Sequence, residues 1–174
     1  MAALKNHIIY RKKFYSNHQN LYEELIANID WNEKMKSRKT ACFGKPYDYS
    51  EQFYDFKPMA PVMENIGLLI QKEIGFRPNN CLLNYYPNGQ SKMGFHADTT
   101  MLLVPNTGIA ILSLGDSRIM QVRRIKNPTE IYNYILPAGS LFYMTNAMQD
   151  DWQHGLPKVV DASGRISMTF RVMN

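Results

Sequence analysis

The sequence predicts an α+β, mainly β domain, and three observations carry that expectation. Apolar residues recur at helical spacing up to Gly75. After Pro78 the texture changes to short apolar runs broken by Gly, Pro and Asn. Finally, His96, Asp98 and His154 are spread so that strands far apart in the chain must meet if these three side chains are to share one ligand.

The first helix is expected from about Ser16 to Ile29, where Leu21, Leu25 and Ile29 fall four residues apart. A second follows Pro58 and Pro61. Its stripe is Val62, Ile66, Leu69 and Ile70, proline suits its first turn, and Gly75 suits its end. Cys81 to Tyr86 then reads as a strand closed by the turn Pro87-Asn88-Gly89. Gly108 to Leu114 stops at Gly115-Asp116, and Ile119 to Ile125 alternates until Asn127-Pro128. Ile131 to Leu136 precedes Pro137-Ala138-Gly139, while Ser140 to Met144 and Ile166 to Val172 complete the set. About eight strands around one pocket point to a double-stranded β-helix, or jelly roll, with N-terminal helices packed on one sheet.

The 174 residues fit one domain, with 79–174 as the expected jelly-roll core, and no repeat, low-complexity stretch or linker divides them. The 45% hydrophobic and 20% charged fractions are those of an ordinary globular protein. No apolar run approaches the length of a membrane span, and MAALKNHIIYRKK lacks the apolar core and cleavage site of a secretion signal. Cys42 and Cys81 make no disulfide framework, so buried thiols in a reducing cytoplasm, or a nucleus in a eukaryote, are expected. The net charge of +5 suits a polyanionic partner through counterion release, although the basic residues are dispersed. A monomer that does not engage membranes is the expectation.

His96 and Asp98 lie two apart, so on a strand both side chains point to the same face. With His154 returning from a distant strand, two imidazoles and one carboxylate can hold one face of a non-haem Fe(II). The remaining positions stay open for a co-substrate and dioxygen. Arg165 and Arg171 supply fixed positive charge suited to a carboxylate such as that of 2-oxoglutarate. By itself a His-x-Asp is equally a hydrogen-bonded surface pair, and Arg171 equally an arginine tied into the barrel by a carboxylate. The order of the five residues reads as an oxygenase.

The run NCLLNYYPNGQSKMGFHAD resembles the core of the AlkB family of Fe(II)- and 2-oxoglutarate-dependent dioxygenases, in which Asn-x-Tyr and a turn precede His-x-Asp. Asn84 and Tyr86 fill the first part. GIAILSLGDSRIMQVRR resembles the family's central strands, and LPAGSLFYMTNAMQDDWQHGLPK the segment that delivers the second metal histidine, here His154. RISMTFR matches the family's Arg-x5-Arg through Arg165 and Arg171. Upstream, SRKTACFGKPYDYS, which contains the lid-like segment 38–50, is similar to the family's substrate lid.

The resemblance implies Fe(II) held by His96, Asp98 and His154, and 2-oxoglutarate bound by Arg165, Asn84, Tyr86 and Arg171. It also implies dioxygen as oxidant, with succinate and carbon dioxide as co-products. The family best known for the pattern removes alkyl groups from nucleobases in DNA or RNA, as in alkylation repair, by hydroxylating an N-alkyl carbon. Such work needs a single-stranded or flipped base, an aromatic wall and basic residues for phosphates. Phe43, Tyr47 and Tyr49 are the expected wall, with Arg38, Lys36 and Lys45 beside the backbone. Members acting on cationic methylated bases carry acidic residues just after His-x-Asp, where this chain has Thr99 and Thr100. Two hydroxyls give no Coulomb attraction to a cationic base. A peptide, protein side chain or small metabolite is therefore the alternative substrate.

Overall fold

Period-two alternation in the strands sorts the side chains into two separate cores, and the site lies in one of them. The structure is a computed structural model that describes residues 2–47 and 54–174. Among these, the helices are α1 (Ala2–Lys5), α2 (His18–Asn28), α3 (Pro61–Ile74) and α4 (Met148–Asp151). The strands are β1 (Ile8–Arg11), β2 (Lys39–Gly44), β3 (Asn80–Tyr86), β4 (Met93–His96), β5 (Gly108–Gly115), β6 (Arg118–Arg124), β7 (Ile131–Leu136), β8 (Leu141–Thr145), β9 (Trp152–Leu156) and β10 (Arg165–Arg171). They form a six-stranded sheet in the order β1-β8-β5-β10-β3-β2 and a four-stranded sheet in the order β4-β9-β6-β7, both antiparallel. This is the expected jelly roll.

On β10, Ile166, Met168 and Phe170 face one way, and Cys81 and Leu83 of β3 with Ala110, Leu112 and Leu114 of β5 join them. Leu21 and Leu25 of α2 and Met63, Ile66 and Ile70 of α3 cover that face, so both predicted helices lie on the larger sheet. Burying one such side chain contributes roughly 1.5–3 kcal/mol. The other face meets the smaller sheet: Leu82, Ile109, Ile111 and Phe142 pack with Met120, Val122, Leu136 and Trp152. Among the described residues no helix is long and apolar enough to cross a membrane.

The strands predicted from apolar runs are found within a residue or so of their expected ends. Strands β1 and β2 were not expected, and β4 and β9, which the metal-ligand reading required, had no bounds marked by apolar pattern. They are short or interrupted by glycine, and their ladders with β8, β3 and each other or β6 hold them rather than any alternation of their own. Half of the lid-like segment is thus an edge strand, β2, paired with β3. That strand ends at Gly44, whose φ of 77° is left-handed and whose missing Cβ would stand 2.1 Å from the Asn79 carbonyl oxygen. Gly44→Ala is expected to cost at least about 2 kcal/mol, from the left-handed backbone and the clash together. A denaturant midpoint unchanged from wild type would contradict this.

Candidate active site

The β4–β9 ladder places His96 directly opposite His154, with ring centroids 4.3 Å apart. His96 Nδ1 lies 3.0 Å from the Gly94 carbonyl oxygen, which turns Nε2 toward the third member of the group. Asp98 corrects one expectation: β4 ends at His96, and Asp98 sits two residues beyond it in the following loop. Its backbone N–H donates to Gln149 Oε1 at 2.9 Å, and this anchors the loop where a ladder does not. Its Oδ1 lies 3.5 Å from His96 Nε2 and 3.9 Å from His154 Nε2. One ligand atom from each of the three residues falls within 4.8 Å of the other two, a spacing that one ion can bridge.

Charge inside this group is well defined. Burial works to raise the pKa of Asp98, but Arg171 and the two imidazoles hold it far below the ordinary carboxylate range. Arg171 donates from Nη2 (2.7 Å) and Nε (3.2 Å) to Asp98 Oδ2, which leaves Oδ1 facing the histidines. Burial first, then His96, lowers the pKa of His154 to about 3, so its imidazole is neutral.

Above the group opens a cleft lined also by Asn84, Tyr86, Arg165 and Arg171. Arg165 and Arg171 reach it together because six residues is an even step along β10, and Asn84 and Tyr86 because two is an even step along β3. Arg165 is 1% exposed; its Nη2 donates to Ser113 Oγ at 2.9 Å, and its guanidinium lies 5.5 Å from the Tyr86 ring centroid. Among the described residues no carboxylate pairs with it, and its Nε has no partner. Burial lowers its pKa to about 10, which leaves it cationic at neutral pH. A buried guanidinium without a counter-charge is costly unless a ligand supplies one.

The expected substrate residues are dispersed. Phe43 is corrected outright: it shares the parity of Ala41 and packs with the helix-side core, so it cannot face the cleft. Tyr47 does line the cleft, but it is 1% exposed and lies under the Arg171 guanidinium at 4.1 Å, which is not an open stacking wall. Arg38 turns inward and donates from Nε to Asn84 Oδ1 at 2.8 Å, where an exposed phosphate contact was expected. Thr99 is exposed and Thr100 half-buried, and neither lines the cleft. Tyr49 falls outside the described residues. Lys36 is exposed beside an open groove that His96 also lines.

Three residues of this neighbourhood escaped the sequence reading. Ser113 holds Arg165, and Gln149 holds the Asp98 loop. Buried Arg118 donates to the carbonyls of Asn88 (3.4 Å), Ser91 (3.0 Å) and Pro157 (2.6 Å), tying the turn before β4 to the end of β9. The available signal was parity: Arg118, Met120 and Val122 share the inward face of β6, and a charged residue there is out of place without partners.

Residues 4–171 match the model of the 2OG-Fe(II) oxygenase superfamily. The chain is 30% identical over 173 residues to alpha-ketoglutarate-dependent dioxygenase alkB homolog 3 of Rattus norvegicus, covering 88% of this chain and 59% of that protein. It is 32% identical over 147 residues to DNA oxidative demethylase ALKBH2 of Bos taurus, covering 77% of this chain and 52% of that protein. The chain thus spans little more than half the length of these two relatives. The solved structure of OsALKBH1 superposes with a TM-score of 0.76 at 16% identity, covering 95% of this chain and 97% of that one, which shows the shared fold. The chain belongs to the 2OG-Fe(II) oxygenase superfamily, in its AlkB-like branch, an enzyme class that works with Fe(II), 2-oxoglutarate and dioxygen.

Proposed function

We propose that this chain is an oxidative dealkylase of nucleobases in DNA or RNA, acting as one catalytic domain on a single-stranded or flipped base. The observation that carries the reading is the joining of a His-Asp-His cluster to a buried, unpaired guanidinium in one cleft that opens beside basic side chains. The names of the two relatives support the substrate class. Two buried thiols, Cys42 and Cys81, agree with a reducing compartment, the cytoplasm or a nucleus, and a monomer is sufficient for the chemistry.

The residues fit the cofactors. Two neutral-capable imidazoles and a carboxylate are the donor set of a non-haem Fe(II) site with open positions. Unpartnered Arg165 Nε and Arg171 Nη1 fit carboxylate oxygens of 2-oxoglutarate. When bound, these groups and dioxygen supply hydroxylation of an unactivated C–H bond, with succinate and carbon dioxide released. The chain's own part is placement. His96, Asp98 and His154 hold the metal, while Arg171 keeps Asp98 ionised and correctly turned. Arg165 takes the distal carboxylate, with Tyr86 beside it and Asn84 held by Arg38. A hydroxylated N-methyl carbon then leaves as formaldehyde, and its nitrogen regains a proton.

Succinate and formaldehyde release test the reading, with anaerobically iron-loaded protein given 2-oxoglutarate, air and methylated or unmethylated oligonucleotides. Stimulation by the methylated strand alone is expected. Slow succinate that no oligonucleotide accelerates would overturn it and point to a peptide, protein side chain or small metabolite, the reading that Thr99 and Thr100 favour by offering no carboxylate to a cationic base. Before turnover, Fe(II) with 2-oxoglutarate at about a hundred times its Kd should stabilise the fold by roughly 2.7 kcal/mol, read as a rise in Tm. An unchanged Tm would contradict the cofactor fit.

A further inference from the structure

Next to the metal-ligand cluster, the smaller sheet carries an aromatic and cationic pair that catalysis does not use. Phe95 immediately precedes His96 on β4, and it is half-buried. The Arg123 guanidinium lies 4.0 Å from the Phe95 ring centroid. Arg123 is itself fixed: it stands opposite Gln153 in the β6–β9 ladder and donates from Nη2 to Gln153 Oε1 at 2.7 Å. Its Nε is buried and unpartnered, so the guanidinium carries undischarged hydrogen-bonding capacity. Phe95 also lines an open groove with Met35, Lys36, Arg38 and His96. The aromatic ring thus lines a groove that shares Arg38, Met93 and His96 with the cleft, one residue from a metal ligand.

The charge around it is one-sided. None of β4, β6, β7 and β9 carries an Asp or Glu; of the three arginines of β6, Arg118 is buried against backbone carbonyls and Arg124 pairs with Glu130 at 3.4 Å, which leaves Arg123 without a carboxylate partner among the described residues. Lys36 in the groove is exposed, and nearby Glu33 is paired with Lys39 at 2.5 Å. An anionic chain leaving the cleft along this groove meets cations and a π-surface together. Aromatic side chains interleaved with cations are what sequence-tolerant single-strand binding requires.

We propose that Phe95, held in place by Arg123, is the stacking surface for the nucleotide adjoining the one in the cleft, and that Arg123 and Lys36 neutralise its phosphates. This rests on the nucleic-acid reading above and deepens it, because the geometry selects single-stranded substrate. In a duplex the neighbouring base stays paired and stacked on its remaining neighbour, and reaching Phe95 would break that pair. In a single strand no such pair is lost.

The test is fluorescence anisotropy of full-chain protein, anaerobic with Fe(II) and 2-oxoglutarate, on a labelled methylated oligonucleotide as a single strand and as a duplex. Wild type is expected to prefer the single strand. Phe95→Ala should weaken single-strand binding about tenfold, the loss of one base stack. Phe95→Tyr should restore it. Arg123→Gln should flatten the slope of log affinity against log salt by about 0.7, one phosphate contact on a single strand. The cofactor-induced rise in Tm reports whether each variant keeps a folded site. If Phe95→Ala loses that rise, Arg123→Gln decides. Wild-type affinity that both variants match would overturn the platform and leave the dealkylase reading standing. Equal wild-type affinity for single strand and duplex overturns the single-strand assignment. Failure of wild type to bind any oligonucleotide overturns the nucleic-acid reading itself, and the platform with it.

Discussion

Asp98→Ala is expected to lose iron binding and to unfold at a clearly lower denaturant concentration than wild type, even as the metal-free protein. The second effect follows from Arg171. Its guanidinium is 3% exposed and pairs with Asp98 Oδ2 through two nitrogens at 2.7 and 3.2 Å. Removing the carboxylate strands a buried cation, at a cost of about 3–5 kcal/mol. Against a typical domain stability of about 5–15 kcal/mol, that is a large share. His96→Ala provides the contrast. His96 has no comparable buried counter-charge to strand, and its side chain is 19% exposed. It should lose the metal with a much smaller shift in midpoint. Urea titrations of the two metal-free variants, with iron content measured in parallel, decide the matter. Equal midpoints for Asp98→Ala and His96→Ala would refute the proposed dual role of Asp98 as ligand and counter-charge.

The second large effect has the opposite sign on stability. Arg165→Met is expected to raise the KM for 2-oxoglutarate about 100-fold or more, as expected when one partner of a buried charge pair is truncated. The same change should leave the ligand-free protein as stable as wild type or more so. Burial lowers the Arg165 pKa well below the ordinary arginine range, to about 10. Keeping it charged therefore costs roughly 3 kcal/mol. Below about pH 10 folded and unfolded chains both carry the proton, so this cost is present in full at neutral pH. Above about pH 10 and up to the ordinary arginine range the unfolded chain binds more protons than the folded one, so stability from this group rises with pH and the cost disappears. Ser113 returns only one neutral-acceptor hydrogen bond, worth about 1.5–3 kcal/mol at most. On the role proposed for Arg165, stability is given up there for co-substrate binding. A marked loss of ligand-free stability in Arg165→Met would show that the guanidinium is a structural strut, and an unchanged KM would remove it from the co-substrate site.

Much of the architecture was legible along the chain because it is written in local pattern. The stripe Val62-Ile66-Leu69-Ile70 with Pro61 and Gly75 at its ends marked α3 almost to the residue. Ile131 to Leu136 marked β7 at both ends. The expected strand Ile166 to Val172 marked β10 to within a residue, and in the structure the even spacing of Arg165 and Arg171 puts both on one face of it. Strands β4 and β9 were not legible, since Met-Gly-Phe-His and Trp-Gln-His-Gly-Leu lack an apolar alternation; pairing with each other and with β6 makes them strands. The expected aromatic wall failed for a related reason. The segment holding Phe43 and Tyr47 is rich in aromatic residues, but a sequence does not state which sheet face each ring meets.

The sequence alone determined the chemistry available to this protein: two histidines, an aspartate and two arginines in an order and at spacings that suit iron and a dicarboxylate. Residue type and parity along a strand are local properties, and both survive folding. Only the tertiary structure decided how those groups are charged and turned. Asp98 lies past the strand end and gives one oxygen to Arg171 and the other to the histidines, while Arg165 stands buried without a counter-charge. Burial and the distance between groups remote in the chain set these energies, and neither exists until the two sheets close on each other.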